Sequence, residues 1–77
     1  MHWSEHLTSR ESVCHGRLCI KGTRVMVSVI LDNLAAGETM EAICADYGVS
    51  REAIRACLHY ASEVARDRVV ALLPEVA

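Results

Sequence analysis

Four cysteines and four histidines are the residues of this 77-residue chain that could supply a nucleophile, its base or a metal ligand. Their closest grouping is Cys14-His15, with Cys19 five residues further on. A cysteine nucleophile needs its base on the same face, but adjacent residues of a strand point to opposite faces. The chain also lacks a glycine-rich phosphate loop, and its length leaves little room for a concave cleft. These observations predict that the protein is not an enzyme.

The cysteine spacing does not indicate a metal site either. Cys14 and Cys19 lack the C-x2-C pairing of zinc ribbons, while Cys44 and Cys57 fall at spacings typical of helix core positions. No signal-peptide pattern favours disulfides, and no apolar run approaches the ~18 residues that a membrane-spanning helix needs. We therefore expect a cytoplasmic protein with free, mostly buried thiols and with neither metal nor other cofactor.

Residues 40–57 carry the sharpest pattern in the chain, that of a helix-turn-helix. Cys44 or Ala45 supplies the small residue where two helices cross, and Gly48 tolerates the positive φ of the turn. Apolar residues occupy the positions expected to be buried on both sides of the turn: Ile43, Tyr47, Val49, Ile54 and Cys57. The segment therefore predicts a recognition helix that begins at Arg51.

The exposed N-terminal face of that helix is the candidate DNA-binding surface. Its residues are Ser50, Arg51, Glu52, Arg55 and His59. Arg51 and Arg55 lie four residues apart and are of the type that contacts guanine edges or phosphates. The formal net charge of −2 weighs against a general nucleic-acid binder. The alternative is a solvated face on which Glu52 and Arg55 form an ion pair.

The first third of the chain predicts a small hairpin-like arm. Residues 12–14 and 17–20 are expected as strands around a turn at His15-Gly16, and residues 24–27 as a third strand or an extended approach to the first helix. Such an arm is too small to be stable as a sheet by itself.

The turn Gly22-Thr23-Arg24 is a second candidate site. Gly22 permits a tight reversal, the Thr23 hydroxyl can close it, and Arg24 is brought close to a helix N-terminus. A cation there is unfavourable unless it has an anionic partner. That partner is either Glu41 or Asp46 of this chain, or a phosphate or a carboxylate of a partner protein.

Helical spacing predicts a first helix over 27–36, capped by Ser28 and followed by Gly37, and a second over 40–47, capped by Thr39. Ser50 would cap a last helix over 51–73, with a possible break near Ser62. This helix would be roughly 35 Å long, more than the ~30 Å diameter of so small a globule. We therefore expect a partner, most simply a second copy, on an interface of apolar residues: Leu58, Ala65, Val69, Leu72 and Leu73. The alternative is that these residues belong to the core of the chain itself.

The fold class expected from these elements is mainly α: a small N-terminal β-hairpin-like arm and a three-helix bundle with a helix-turn-helix. Apolar residues make up 52% of the chain and charged residues 23%, as in a folded globular protein. We expect one domain over 1–77, with the arm in 1–26, the helix-turn-helix core in 27–62 and a C-terminal helical extension in 63–77.

The segment 16–25, which contains Ile20-x-Gly22-Thr23-Arg24, resembles domain-of-unknown-function family 433. Glu41-Ala42-Ile43 and residues 54–61 add to the resemblance, which extends from about Leu7 to Glu63. The sequence departs from the family pattern at Leu18, where proline is common, and at Lys21, where arginine is frequent.

The resemblance implies a homeodomain-like helical bundle and an antitoxin of the VapB type. Such a protein would bind a PIN-like ribonuclease toxin and, as a homodimer, its own operator DNA, and would thereby regulate transcription. The alternative is a protein interaction module or dimerisation adaptor that does not bind DNA.

Overall fold

A computed structural model describes residues 2–10 and 13–67, without the side chains of residues 10–16 and 67. After a short 3-10 turn, Trp3–Glu5, the described chain forms two strands and three helices. These are β1 (Leu7–Arg10), β2 (Val13–Ile20), α1 (Val27–Ala35), α2 (Met40–Tyr47) and α3 (Arg51–Asp67). The fold is therefore mainly α with a β-hairpin arm, as the sequence predicts.

The two strands of the arm are antiparallel, and their register places Leu7 opposite Ile20. The predicted hairpin around His15-Gly16 was wrong, because β2 runs through this dipeptide and pairs with the upstream segment Leu7–Arg10. The physical reason is burial: this pairing places Leu7 and Ile20, 4% and 5% exposed, together in the core. The candidate pair Cys14 and His15 lies in β2, but their side chains are outside the described part.

The segment between β2 and α1 is extended, one of the two predicted alternatives. The Val25 carbonyl accepts a hydrogen bond from the Ile20 amide at 2.9 Å, and Met26 forms an isolated β-bridge with Cys19. Because Met26 is held extended by this bridge, α1 begins directly after it, at Val27. The prediction that Ser28 caps α1 was therefore wrong, since Ser28 lies within the first turn of the helix.

The predicted start and end of α2 and the predicted start of α3 are confirmed by the hydrogen bonds and backbone angles. The Thr39 hydroxyl accepts a hydrogen bond from the Ala42 amide at 3.1 Å, and the Ser50 hydroxyl accepts one from the Ala53 amide at 3.1 Å. Gly48 closes α2 with a φ of +65°, a conformation that costs glycine less than any other residue.

One hydrophobic core joins the arm to the helices. Its most buried large side chains are Ile30, Ile43, Ile54, Cys19 and Cys57. Tyr47, predicted to be buried, is instead 36% exposed, and its hydroxyl accepts a hydrogen bond from Asn33 at 3.0 Å. The hydroxyl explains the difference, because at the surface it can be hydrogen-bonded without desolvation.

Ile54 and Cys57 of α3 are buried as predicted, and the alternative that Leu58 and Ala65 belong to the core of the chain is wrong. The structure buries Ala53, Ile54, Ala56 and Cys57, whereas Leu58 is 42% exposed and Ala65 is also exposed. The small side chains of Ala53 and Ala56 let α3 approach its neighbours closely, which turns Leu58 outward. The helix continues through Ser62 without a break to Asp67. Of the predicted interface, Val69, Leu72 and Leu73 lie outside the described residues, as does the predicted end of the helix.

The N-terminal 3-10 turn packs on α3. The Trp3 indole donates a hydrogen bond to the Glu63 carboxylate at 2.7 Å, and its ring meets Tyr60 edge-on at a centroid distance of 5.1 Å. The His2 ring caps the turn by accepting a hydrogen bond from the Ser4 amide, and lies 3.7 Å from the Glu63 carboxylate.

None of the helices in the described part of the chain is long and apolar enough to span a membrane.

Candidate nucleic-acid interface

The helix-turn-helix places the start of α3 at the surface. Gly48 reverses the chain, Val49 is buried beneath the turn at 7% exposure, and Ser50 begins the next helix. The Ser50 hydroxyl therefore has a structural role as the cap of α3, in addition to its predicted place among the DNA-binding residues.

The solvent face of α3, the cationic face, carries three arginines and one histidine. At about 100° per residue, the candidates Arg51, Arg55 and His59 fall within an arc of about 80°, and Arg66 lies in the same arc. All four side chains are exposed. From Arg51 to Arg66 this face extends for about 22 Å along the helix axis. Two acidic residues of the described part of α3 border this arc: Glu52, which is exposed, and Glu63, whose side chain is 42% exposed.

Arg51 is paired with an acidic residue of the preceding helix. Its Nη1 donates a hydrogen bond to Glu41 Oε1 at 2.7 Å, between side chains that are 53% and 71% exposed. The hydrogen bond from Arg51 is the main reason that the pKa of Glu41 lies below its usual value. The same contact raises the pKa of Arg51.

The predicted alternative, an ion pair between Glu52 and Arg55, is not formed in the part of the chain that the structure describes. Arg55 instead lines a shallow, open depression of about 400 Å³, together with Leu58, His59 and Ser62. This depression combines a guanidinium and an imidazole with an apolar side chain, a combination that suits either a sugar-phosphate backbone or a protein side chain.

The Gly22-Thr23-Arg24 turn is closed as the sequence predicts. Gly22 has a φ of +77°, and the Thr23 hydroxyl donates to the Ile20 carbonyl at 2.8 Å and accepts from the Val25 amide at 3.0 Å. Arg24 is exposed, three residues before the first residue of α1. Glu41, one of its two predicted acidic partners, makes its ion pair with Arg51.

A second surface feature lies where β2, α1 and α3 meet. It is a groove of about 340 Å³ lined by Arg17, Leu18, Val27, Ser28, Leu31 and Tyr60. Its apolar lining and the exposed Leu58 and Ala65, elsewhere on α3, are apolar side chains that a partner protein can reach.

The described cysteines Cys19, Cys44 and Cys57 are free thiols, and Cys19 and Cys57 are buried. Burial raises the pKa of the Cys57 thiol to about 11, which makes it a poor nucleophile. Among the described residues, no group of three or more His, Cys, Asp or Glu side chains is placed to hold a metal ion.

Two residues of this interface were missed from the sequence, Glu41 and Arg66. Arg66 follows Arg55 at a separation of 11 residues, three turns of helix, so a helical wheel extended over all of α3 would have found it. Glu41 is ten residues from Arg51, and only the packing of α2 on α3 brings them together.

The fold and the site define a small, mainly α-helical protein with a helix-turn-helix and a β-hairpin arm. Residues 7–61 match the model of a family of proteins of unknown function, DUF433. This match covers well over half of the sequence, so the chain belongs to the DUF433 family. No curated protein and no solved structure matches the chain.

Proposed function

We propose that the protein is a cytoplasmic, DNA-binding antitoxin-like regulator that contacts duplex DNA with the solvent face of α3. The observation that carries this proposal is the row of exposed cationic side chains that follows the helix-turn-helix. The first of them, Arg51 and Arg55, lie in the N-terminal turns of α3, the part of a recognition helix that enters the major groove.

The residues of this face differ in the contacts that they favour. Arg51 and Arg55 suit guanine edges or phosphates, and the Ser50 hydroxyl and His59 suit phosphate or sugar oxygens. Arg66 lies about 16 Å beyond Arg55 along the helix axis. At that position Arg66 favours contact with a phosphate outside the major groove.

The negative net charge does not oppose this proposal, because the charges are unevenly distributed. Of the acidic residues of α3, Glu63 borders the cationic face, but its carboxylate accepts a hydrogen bond from Trp3 and lies 3.7 Å from His2. A local cationic surface is sufficient to release counterions from DNA, whatever the total charge of the chain.

The antitoxin part of the proposal is supported by the resemblance of the family to VapB-type antitoxins. The partner proposed is a PIN-like ribonuclease toxin, and the surface proposed for it is the groove bounded by Arg17, Leu31 and Tyr60. Co-expression with the product of the neighbouring gene tests this part: inhibition of its ribonuclease activity by the purified chain supports the proposal, and undiminished activity contradicts it.

A charge-matched pair of variants tests the DNA contact. Binding of a labelled duplex from the upstream region of the gene is measured by fluorescence anisotropy between 50 and 200 mM salt. We expect Arg55→Gln to weaken binding about tenfold and to reduce the salt slope by about 0.9, because one phosphate or base contact is lost. Arg17→Gln removes the same charge from an exposed residue of β2 that is not among those proposed to contact DNA, and we expect a change of less than about twofold.

Binding by the unsubstituted protein that is weak and insensitive to salt would contradict the proposal, as would equal effects of the two variants. Light-scattering mass with and without the duplex gives the stoichiometry. We expect a dimer on one duplex, since two recognition helices about 34 Å apart fit successive major grooves.

The second candidate function is a protein interaction module without DNA contact. It is favoured by the 42% exposure of Leu58, which lines the same depression as Arg55 and His59. A Leu58→Ser variant that becomes monomeric or loses a protein partner, together with an unsubstituted protein that binds no duplex DNA at 50 mM salt, would support this function.

A further inference from the structure

The Glu41–Arg51 ion pair connects α2 and α3 at the surface proposed to meet DNA. Glu41 is the second residue of α2, and Arg51 is the first residue of α3. Their 2.7 Å contact is short enough for a charge-assisted hydrogen bond. Because the Arg51 and Glu41 side chains are 53% and 71% exposed, a phosphate oxygen can reach the guanidinium and take the place of the carboxylate.

We propose that Glu41 competes with DNA for Arg51 and so keeps the affinity of this protein for duplex DNA low. The inference rests on the function proposed above and concerns the regulation of the same site. In the free protein the guanidinium donates to the Glu41 carboxylate. On DNA it must exchange this carboxylate for a phosphate or base oxygen.

The exchange has a measurable electrostatic consequence. The salt dependence of DNA binding counts the cations of the protein that neutralise phosphates and release counterions. An arginine already neutralised by a carboxylate contributes little to this count until the ion pair opens. Removing the carboxylate therefore makes Arg51 available as one further phosphate contact.

Glu38 provides a matched control for Glu41. It is exposed in the same acidic region, three residues earlier, directly before the Thr39 cap of α2. In the part of the chain that the structure describes, its side chain takes part in neither of the two ion pairs, His2–Glu63 and Arg51–Glu41. Glu38→Gln and Glu41→Gln change the net charge equally, but only Glu41→Gln removes the ion pair with Arg51.

The experiment measures the affinity of both variants and of the unsubstituted protein for a labelled duplex of unrelated sequence, at 50 to 200 mM salt. At about 0.1 M salt we expect Glu41→Gln to bind about fivefold more tightly, with a salt slope steeper by about 0.9. We expect less than a twofold change for Glu38→Gln. In an Arg51→Gln background, Glu41→Gln should have no larger effect than Glu38→Gln, which isolates the pairwise contribution.

Three outcomes overturn the inference, and they separate it from the proposed function. If the unsubstituted protein binds and the two glutamine variants agree within twofold, the competition is refuted and DNA binding stands. If Glu41→Gln weakens binding, the ion pair orients Arg51 for DNA rather than competing with it. If neither the unsubstituted protein nor any variant binds at low salt, the proposed function and the inference are both refuted. Circular dichroism confirms that the exposed substitutions leave the fold intact.

Discussion

The Thr23 hydroxyl is the residue-scale contact that closes the chain between β2 and α1. As donor to the Ile20 carbonyl and acceptor from the Val25 amide, it satisfies two backbone groups of the turn. The backbone adds a hydrogen bond from the Thr23 amide to the same carbonyl at 3.0 Å. Threonine fits the position after Gly22 because its hydroxyl can donate and accept at the same time.

We expect Thr23→Val to lower the free energy of unfolding by about 1–2 kcal/mol, because valine has the same shape but leaves these backbone groups without their side-chain partner. Thr23→Ser retains the hydroxyl and should lose less than half as much. Urea denaturation followed by circular dichroism measures both variants. Equal losses would show that the methyl group, not the hydroxyl, stabilises the turn.

Residue-scale features are predictable from the sequence where a residue acts on its own backbone. The caps at Thr39 and Ser50 and the positive φ of Gly48 follow from short-range chemistry and were all predicted. The partner of Arg51 was not, because local spacing carries no information on which residue of α2 packs beside the start of α3.

At the scale of elements, the hydrogen bond between Trp3 and Glu63 is the principal polar contact that holds the N-terminal 3-10 turn on α3. The Trp3 indole N–H must find an acceptor when its ring is partly buried, and the Glu63 carboxylate supplies it. His2, 3.7 Å from the same carboxylate, adds a second contact between the turn and the helix.

We expect Glu63→Ala to lower the free energy of unfolding by about 1 kcal/mol more than Glu52→Ala, because Glu63 accepts a charge-assisted hydrogen bond. Glu52 is the matched control, an exposed glutamate of the same helix. Urea denaturation measures the stability, and hydrogen exchange of the Trp3 indole N–H, followed by NMR, reports on the contact itself. Unchanged indole exchange in Glu63→Ala would contradict this assignment.

The elements that were predicted correctly are those whose bounds depend only on contacts between residues close together in the sequence. The bounds of α2 and the start of α3 follow from apolar spacing and caps. The hairpin was misplaced because its register depends on Leu7 meeting Ile20, a pairing across thirteen residues. Ile54 and Cys57 were correctly assigned to the core side of α3, whereas Ala53 and Ala56 were not identified there, because alanine carries little hydrophobic signal.

For the whole molecule, the small core makes stability sensitive to the ionisation of a single buried thiol. Cys57 has no solvent exposure, and its pKa is raised from 9.0 to about 11. A raised pKa means that the folded state disfavours the thiolate. The contribution to stability is therefore complete below pH 9 and is lost as the pH rises towards 11.

We expect the free energy of unfolding to fall by up to about 2 kcal/mol between pH 9 and pH 11, and to fall less in Cys57→Ala. Cys44→Ala controls for the loss of a thiol at a less buried position. Urea denaturation across this pH range measures the slopes. The same pH dependence in all three proteins would place the titration at another group.

The position of Trp3 also makes its intrinsic fluorescence sensitive to the packing of the N-terminal turn on α3. It is the only tryptophan of the chain, and its ring lies against Tyr60 and is hydrogen-bonded to Glu63. Tyrosine-to-tryptophan energy transfer and the emission maximum of the indole therefore follow the detachment of the N-terminal turn without any label. Ellipticity at 222 nm follows the helices in the same sample. A red shift in emission that precedes the loss of ellipticity on heating would mark the turn as the first part of the fold to open.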